Sequence, residues 1–240
     1  MERVSVVEGD KPLLLVAPHG FDDDNTGEIT KRIAEEINCY AVINNTWTKG
    51  DKVDWSKDIA DCNNVYHCQE DVVKEEFFDP FIRYAMTIVQ ENQQCDIIIV
   101  HGMGNHVRTK TKDTIDGILG YGNNQNPSYS CDLWRKNGFL YLAQDYHLKL
   151  YEGAPSGTYS GFAKKNLNQY WRKWDYDDDV HSMQLELVYE MRKNDIVDDT
   201  VNVLSDIFSE YADFVNHYLE TQEAPDDWDK NWSNLPVKSF

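Results

Sequence analysis

The sequence predicts an α/β fold, a single three-layer α/β/α domain built on a mixed, mostly parallel sheet. Three observations predict it. Apolar runs at Leu13 to Val16 and Ile97 to Val100 have the unbroken hydrophobicity of strands buried on both faces. Between such runs lie stretches whose apolar residues recur at helical spacing. No internal repeat, low-complexity linker or domain boundary interrupts the 240 residues, and a hydrophobic content of 41% is enough for one substantial core. The domain is expected to span residues 1–240, with an irregular tail from about Thr221 that carries Pro225, Trp228, Trp232 and Pro236.

The elements follow in order. After the first apolar run, Thr26 to Asn38 carries Ile29, Ile33 and Ile37 at intervals of four, one face of a helix, with Asp24 and Asn25 before it as capping residues. Ala41 to Ile43 is a short strand, and the polar stretch Asn44 to Asp71 reads as a long, functional loop whose aromatic residues argue against disorder. Pro80 suits the first turn of a helix to about Gln93, with Phe81, Ala85, Ile88 and Val89 inward. The second apolar run comes next, then a short strand at Ile118 and Leu119 and a stretch rich in glycine and asparagine from Gly120 to Ser130. Ser130 is placed to cap a helix to about Tyr146, and Leu148 to Tyr151 is extended. Met183 to Tyr189 has a period of two, with Met183, Leu185 and Leu187 on one face and Gln184 and Glu186 on the other. The stripe Val203, Leu204, Ile207, Phe208, Tyr211, Phe214, Val215 and Tyr218 is the core face of a long amphipathic helix.

Charge and composition narrow the partners. The formal net charge of −19 repels phosphate backbones and anionic lipids, which argues against nucleic acid, a membrane surface or a polyanionic polymer as partner and leaves a small-molecule substrate. Acid runs such as Asp177 to Asp179 and Asp226-Asp227 read as solvated surface. No apolar run is long enough to span a bilayer and the start of the chain has no signal-peptide pattern, so a cytoplasmic location is expected. The five cysteines, Cys39, Cys62, Cys68, Cys95 and Cys131, are odd in number and scattered, which suits reduced packing residues.

The chemistry concentrates at two strand ends. The first apolar run leads through Ala17 and Pro18 into His19-Gly20, and the second runs directly into His101-Gly102. In open α/β sheets ligands bind in the crevice outside the carboxyl ends of the strands, so two imidazoles arriving there are positioned to share one ion. The segment after His19 reads Gly20-Phe21-Asp22-Asp23-Asp24. Two histidine nitrogens and one carboxylate oxygen form a three-ligand set that leaves a position open for water or substrate. Asp22 stands at the His-x-x-acid spacing, with Asp23 as the reserve candidate. Glu186, in an inner strand by this reading, is an acid that needs either a salt-bridge partner or a chemical role. No Gly-x-Ser-x-Gly elbow is present and no cysteine lies beside an evident base, which disfavours serine and cysteine hydrolysis.

The succession Ala17-Pro18-His19-Gly20, a long Asn/Asp loop, His101-Gly102, Gln184-Leu185-Glu186-Leu187 and Arg192 resembles the N-formylglutamate amidohydrolase family, within the zinc carboxypeptidase-like metallohydrolases of phosphorylase/hydrolase-like fold. The resemblance runs from about Leu13 to Arg192. It implies one zinc ion per chain held by His19, Asp22 and His101, with Glu186 as general base in the hydrolysis of an amide in a small N-acyl amino acid or short peptide. It places Asn63 or Asn64 on the substrate or the developing oxyanion, and His181 is positioned by sequence to orient or protonate. Two positions depart from the family pattern. The family usually carries Glu where Asp22 stands, and its Asp-x-Asn-Arg pattern appears here as Asp61-Cys62-Asn63-Asn64. Asn44-Asn45-Thr46 likewise lacks an arginine, and asparagine cannot reproduce the bidentate grip of a guanidinium on a carboxylate. Arg108, Arg135, Lys164 and Lys165 read as surface charge rather than replacements. The competing expectation is a relative that keeps the fold and binds a ligand or partner without turnover.

Overall fold

The computed structural model describes residues 2–105, 114–123 and 129–221. Its strands are β1 (Val4–Val7), β2 (Leu13–Ala17), β3 (Tyr40–Asn44), β4 (Cys95–Met103), β5 (Gly117–Gly120), β6 (Leu150–Glu152) and β7 (Val180–Val188). The helices are α1 (Thr26–Ile37), α2 (Val65–Cys68), α3 (Asp71–Val73), α4 (Asp79–Asn92), α5 (Leu133–Asp145), α6 (Tyr170–Lys173) and α7 (Val197–Thr221). The described strands form one sheet in the order β1-β3-β2-β4-β7-β5-β6. Its middle, β3-β2-β4-β7, is parallel, while β1 pairs antiparallel to β3 and β5 antiparallel to β7. This is the mixed, mostly parallel sheet, with helices on both faces, that the apolar runs predict.

The unbroken hydrophobicity of β2 and β4 follows from burial on both faces. Leu13, Leu15 and Ala17 face a core layer with Ile29, Ile33 and Ile37 of α1 and with Leu204, Ile207, Phe208 and Tyr211 of α7. Leu14 and Val16 face the opposite layer, where Phe77, Phe81, Ala85 and Ile88 pack with Trp47, Cys62, Val65 and Trp171. Within β4 the alternation sends Ile98 and Val100 to the first layer and Ile97 and Ile99 to the second. In β7 it sends Met183, Leu185 and Leu187 to the first. His101, two residues beyond Ile99, and Glu186, between Leu185 and Leu187, therefore share the face that carries α4 and the long loop.

Several local expectations are corrected. Asp24 and Asn25 do not cap α1 through their side chains; Asn25 is left-handed at φ 59°, and its amide donates to the backbone oxygen of Arg192 instead. Ser130 caps no helix, because its hydroxyl donates to Ser182 O in the core and α5 starts beyond Asp132. Arg135 is not surface charge: it is buried and paired with Asp96 at 2.8 Å and Asp132 at 2.6 Å. Lys164 stands over the ring of Trp174. Edge strand β1 carries no clear sequence signal, since only Val4 of its four residues is buried. The long loop is folded on Trp47, which is fully buried. The side chain of Asn44 holds that turn, accepting from the Thr46 and Trp47 amides and donating to Pro18 O and Trp47 O. All five cysteines are buried free thiols. No helix among the described residues is long and apolar enough to cross a membrane. His106, Arg108 and the tail residues 222–240 lie outside the described residues.

Candidate metal centre

His19 follows β2 by one proline, and the Asn44 bond to Pro18 O sets the path of the chain into it. Gly20 is required there by close backbone approach, because a Cβ would lie 2.6 Å from Asn44 O. The turn then closes with the Asp23 amide donating to His19 O at 2.8 Å. His101 arrives on β4, which continues through it to Met103. The two rings stand 4.8 Å apart between centroids.

Asp23, not Asp22, stands between the imidazoles. Its Oδ2 lies 3.6 Å from Nδ1 of His19 and 3.6 Å from Nδ1 of His101, and accepts from the Gly102 amide at 3.0 Å. Its Oδ1 takes the Lys49 ammonium at 2.7 Å. Asp22 is turned away and accepts from the backbone N–H of Lys49 at 2.6 Å. The extra residue of spacing is absorbed by the turn that brings the Asp23 amide back onto His19 O. His19 Nε2 is bonded to Asp61 Oδ1 at 2.8 Å, which leaves Nδ1 as the ring atom facing the centre. Asp61 is itself fixed, since its amide donates to His67 Nδ1 and its Oδ1 also accepts from the Asn63 amide.

The donor set fits a divalent ion of the zinc type. One ligand atom from each of His19, Asp23 and His101 falls within 4.8 Å of the others, and all three residues are buried. Tetrahedral arms of about 2.0–2.1 Å place neighbouring ligand atoms about 3.3 Å apart, close to the separations seen for Asp23. His101 presents Nδ1 to Asp23, while its Nε2 is a buried nitrogen with no hydrogen-bond partner. The His19–Asp61 bond is of the carboxylate–imidazole kind that orients a histidine for metal binding.

Electrostatics divide the groups. Burial pushes Asp23 up, but the neighbouring His101 and His19 outweigh it and hold the carboxyl well below its ordinary range. His19 is pulled down by burial and raised on balance by Asp23 and Asp61. His101 is lowered to about 4, chiefly by burial, so its imidazole is neutral at pH 7. Glu186 is raised to about 8 by burial and then by the Asp23 charge. It is the register partner of His101 across the β4–β7 pair, and Gln184 Nε2 donates to its Oε1 at 2.9 Å.

The remaining site candidates separate. His181 pairs in register with Asp96 at the start of β7, five residues before Glu186, or about 17 Å along the strand. Buried His181 has half-buried Arg172 and exposed Asp132 beside it at the far end of the sheet, away from this centre. Asn64 uses its side chain to cap α2, accepting from the Tyr66 amide. Asn63 adjoins Asp61 and keeps a buried Oδ1 without a partner. Spacing along the chain does not single out Asp61, Lys49 or His67. Asp61 lies in the stretch matched to the family pattern, but Lys49 and His67 carry no sequence signal, because only the path of the loop brings them in.

No protein-family model matches the chain, and no curated protein sequence does. Solved structures do match in fold. The N-formylglutamate amidohydrolase from Ralstonia eutropha JMP134 is similar with a TM-score of 0.63 at 9% identity, over 90% of this chain and 99% of that one. A gene product of Agrobacterium tumefaciens is similar with a TM-score of 0.55 at 11% identity, over 90% of this chain and 96% of that one. These likenesses define the class of fold, an α/β architecture shared with that amidohydrolase. They span about nine tenths of this chain and nearly the whole of the others, so the likeness extends well beyond a shared motif.

Proposed function

We propose that this chain is a zinc-dependent amidohydrolase acting on a small N-acyl amino acid or short peptide, with His19, Asp23 and His101 as ligands and Glu186 as general base. The observation that carries this reading is the Asp23 carboxylate flanked at 3.6 Å by two imidazoles, one of them backed by Asp61, at the carboxyl ends of parallel strands. A divalent ion supplies Lewis-acid polarisation of the scissile carbonyl and acidifies the attacking water.

The protein's own groups supply the rest. Asp61 fixes the tautomer and direction of the His19 ring. His101 stays neutral at working pH because burial disfavours its charged form. Glu186, buried and in register with His101 across the β4–β7 pair, would take a proton from water and return it to the leaving nitrogen. Asn63 is the candidate substrate contact. The loop offers no arginine fork, and Asn44 is fully engaged within the protein, so recognition of the acyl amino acid does not rest on those positions.

The deciding experiment is metal analysis of protein purified without chelator, followed by Glu186→Gln. About one ion per chain, retained in the variant while hydrolysis of N-acyl amino acids disappears, supports the reading. Undiminished turnover in Glu186→Gln removes Glu186 from the base role. The missing arginine fork favours a second reading, a protein that binds a ligand without turnover. In that case the parent and Glu186→Gln bind the same ligand equally and neither consumes it.

A further inference from the structure

The two His-Gly dipeptides are explained differently by the fold, and the second leads to Arg192. A Cβ on Gly102 would lie 2.4 Å from Cζ of Arg192 and 2.6 Å from its NH1 nitrogen. A guanidinium therefore lies against the backbone beside His101, and any Cβ at Gly102 would have to displace it. Arg192 is buried, and its donors meet backbone carbonyls rather than a carboxylate. Nε donates to Leu187 O at 3.3 Å, one terminal nitrogen to Asp24 O at 2.8 Å and the other to Met103 O at 3.1 Å. Leu187 follows Glu186, Asp24 follows Asp23, and Met103 lies two residues beyond His101. The Arg192 backbone oxygen in turn accepts from Asn25 at 2.6 Å.

We propose that Arg192 is the positioning residue of this centre: its single rigid fork ties together the three backbone segments that carry Asp23, His101 and Glu186. The assignment rests on the metal-centre reading. A planar guanidinium with donors in fixed directions sets the mutual distances of three segments, which the point charge of lysine cannot do. Preorganisation of this kind matters because displacements of about 1 Å at a reacting site cost about a hundredfold in rate.

The test uses the full chain and reads ion binding as well as turnover. Zinc affinity is measured by competition with a chromophoric chelator, and the visible spectrum of the Co2+-loaded protein reports ligand geometry. Arg192→Lys, which keeps the charge and loses the fork, should bind zinc about tenfold more weakly or worse, shift the Co2+ spectrum, and lower kcat more than it raises KM. Gly102→Ala should do the same by pushing the guanidinium away, and its effect should largely vanish in an Arg192→Ala background, where the three atoms nearest that Cβ are gone. If Arg192→Ala does not fold, Arg192→Lys and Gly102→Ala still decide the question. The control is Arg135→Met, another buried arginine at the far end of the sheet, which should lower Tm and leave the Co2+ spectrum unchanged. Arg192→Lys and Gly102→Ala proteins with parental zinc affinity and Co2+ spectrum but reduced Tm would overturn the assignment, leaving Arg192 a purely structural residue. A parent protein that takes up no ion would overturn the metal-centre reading and this assignment together, a result distinct from loss in the variants alone.

Discussion

Asp61 offers the sharpest quantitative test of the proposed centre, because it touches the proposed ligand His19 without being a ligand in that proposal. Its Oδ1 accepts from His19 Nε2 at 2.8 Å and from the Asn63 amide at 3.0 Å. Asp61→Asn keeps an oxygen of the same reach and removes the charge. A hydrogen bond to a charged partner contributes about 1.5–3 kcal/mol against about 0.5–1.5 for a neutral one, so the change costs about 1–1.5 kcal/mol. That is roughly a tenfold loss of zinc affinity, since about 1.4 kcal/mol corresponds to a factor of ten. Asp61→Ala also frees the ring to rotate and should approach a hundredfold, the upper range for outer partners of a metal-bound histidine. The assay is zinc competition against a chromophoric chelator at pH 8, where protons compete least for the imidazoles. His19→Ala serves as the reference for loss of a ligand. Parental affinity in both Asp61 variants, with binding abolished in His19→Ala, would refute the argument that Asp61 orients His19.

Further outcomes follow from the same geometry. Asp23→Asn should weaken zinc binding by at least about a hundredfold while Asp22→Asn changes it little, measured by the same competition; the reverse order would restore Asp22 as the ligand. Arg135→Met strands the buried Asp96 carboxyl, already raised to about 6 by burial, and should cost about 3–5 kcal/mol in denaturant unfolding at pH 7.5 without changing zinc stoichiometry; a loss under about 1 kcal/mol would contradict that. His181 is held down to about 2 by burial, Arg135 and Arg172, against an ordinary value of 6.5. Between these values the unfolded chain binds a proton that the native one does not, so this contribution is fully present above pH 6.5 and falls by up to about 1.4 kcal/mol per pH unit as the pH drops toward 2. Unfolding measured at pH 7 and pH 5 should therefore show a smaller acid loss for His181→Leu than for the parent, by about 2 kcal/mol; equal losses would exclude His181 as a source.

Much of the fold was legible because hydrophobic periodicity is a local property. Leu13 to Val16 and Ile97 to Val100 announce their burial on both faces, and Ile29, Ile33 and Ile37 announce one helical face. The alternation at Gln184, Leu185, Glu186 and Leu187 also put Glu186 on the right face, since a period of two leaves no choice. Where burial is partial the signal fades. Edge strand β1 was silent, and Ser130 and Asn25 have capping chemistry but use their side chains on Ser182 and Arg192.

By itself, then, the sequence determined the class of fold and the arrival of His19 and His101 at the carboxyl ends of two strands, because both follow from patterns within a few residues; that the two strands are neighbours is tertiary. Only the tertiary structure decided which groups surround them. The choice of Asp23 over Asp22 depends on a turn closed by a backbone bond and on Lys49 entering from a loop 26 residues away. The same holds for Asp61 behind His19, for His181 at the wrong end of a strand, and for Arg192 lying on Gly102. Spacing along a chain says which residues share a face. It does not say where separate segments cross, and a metal centre is assembled from such crossings.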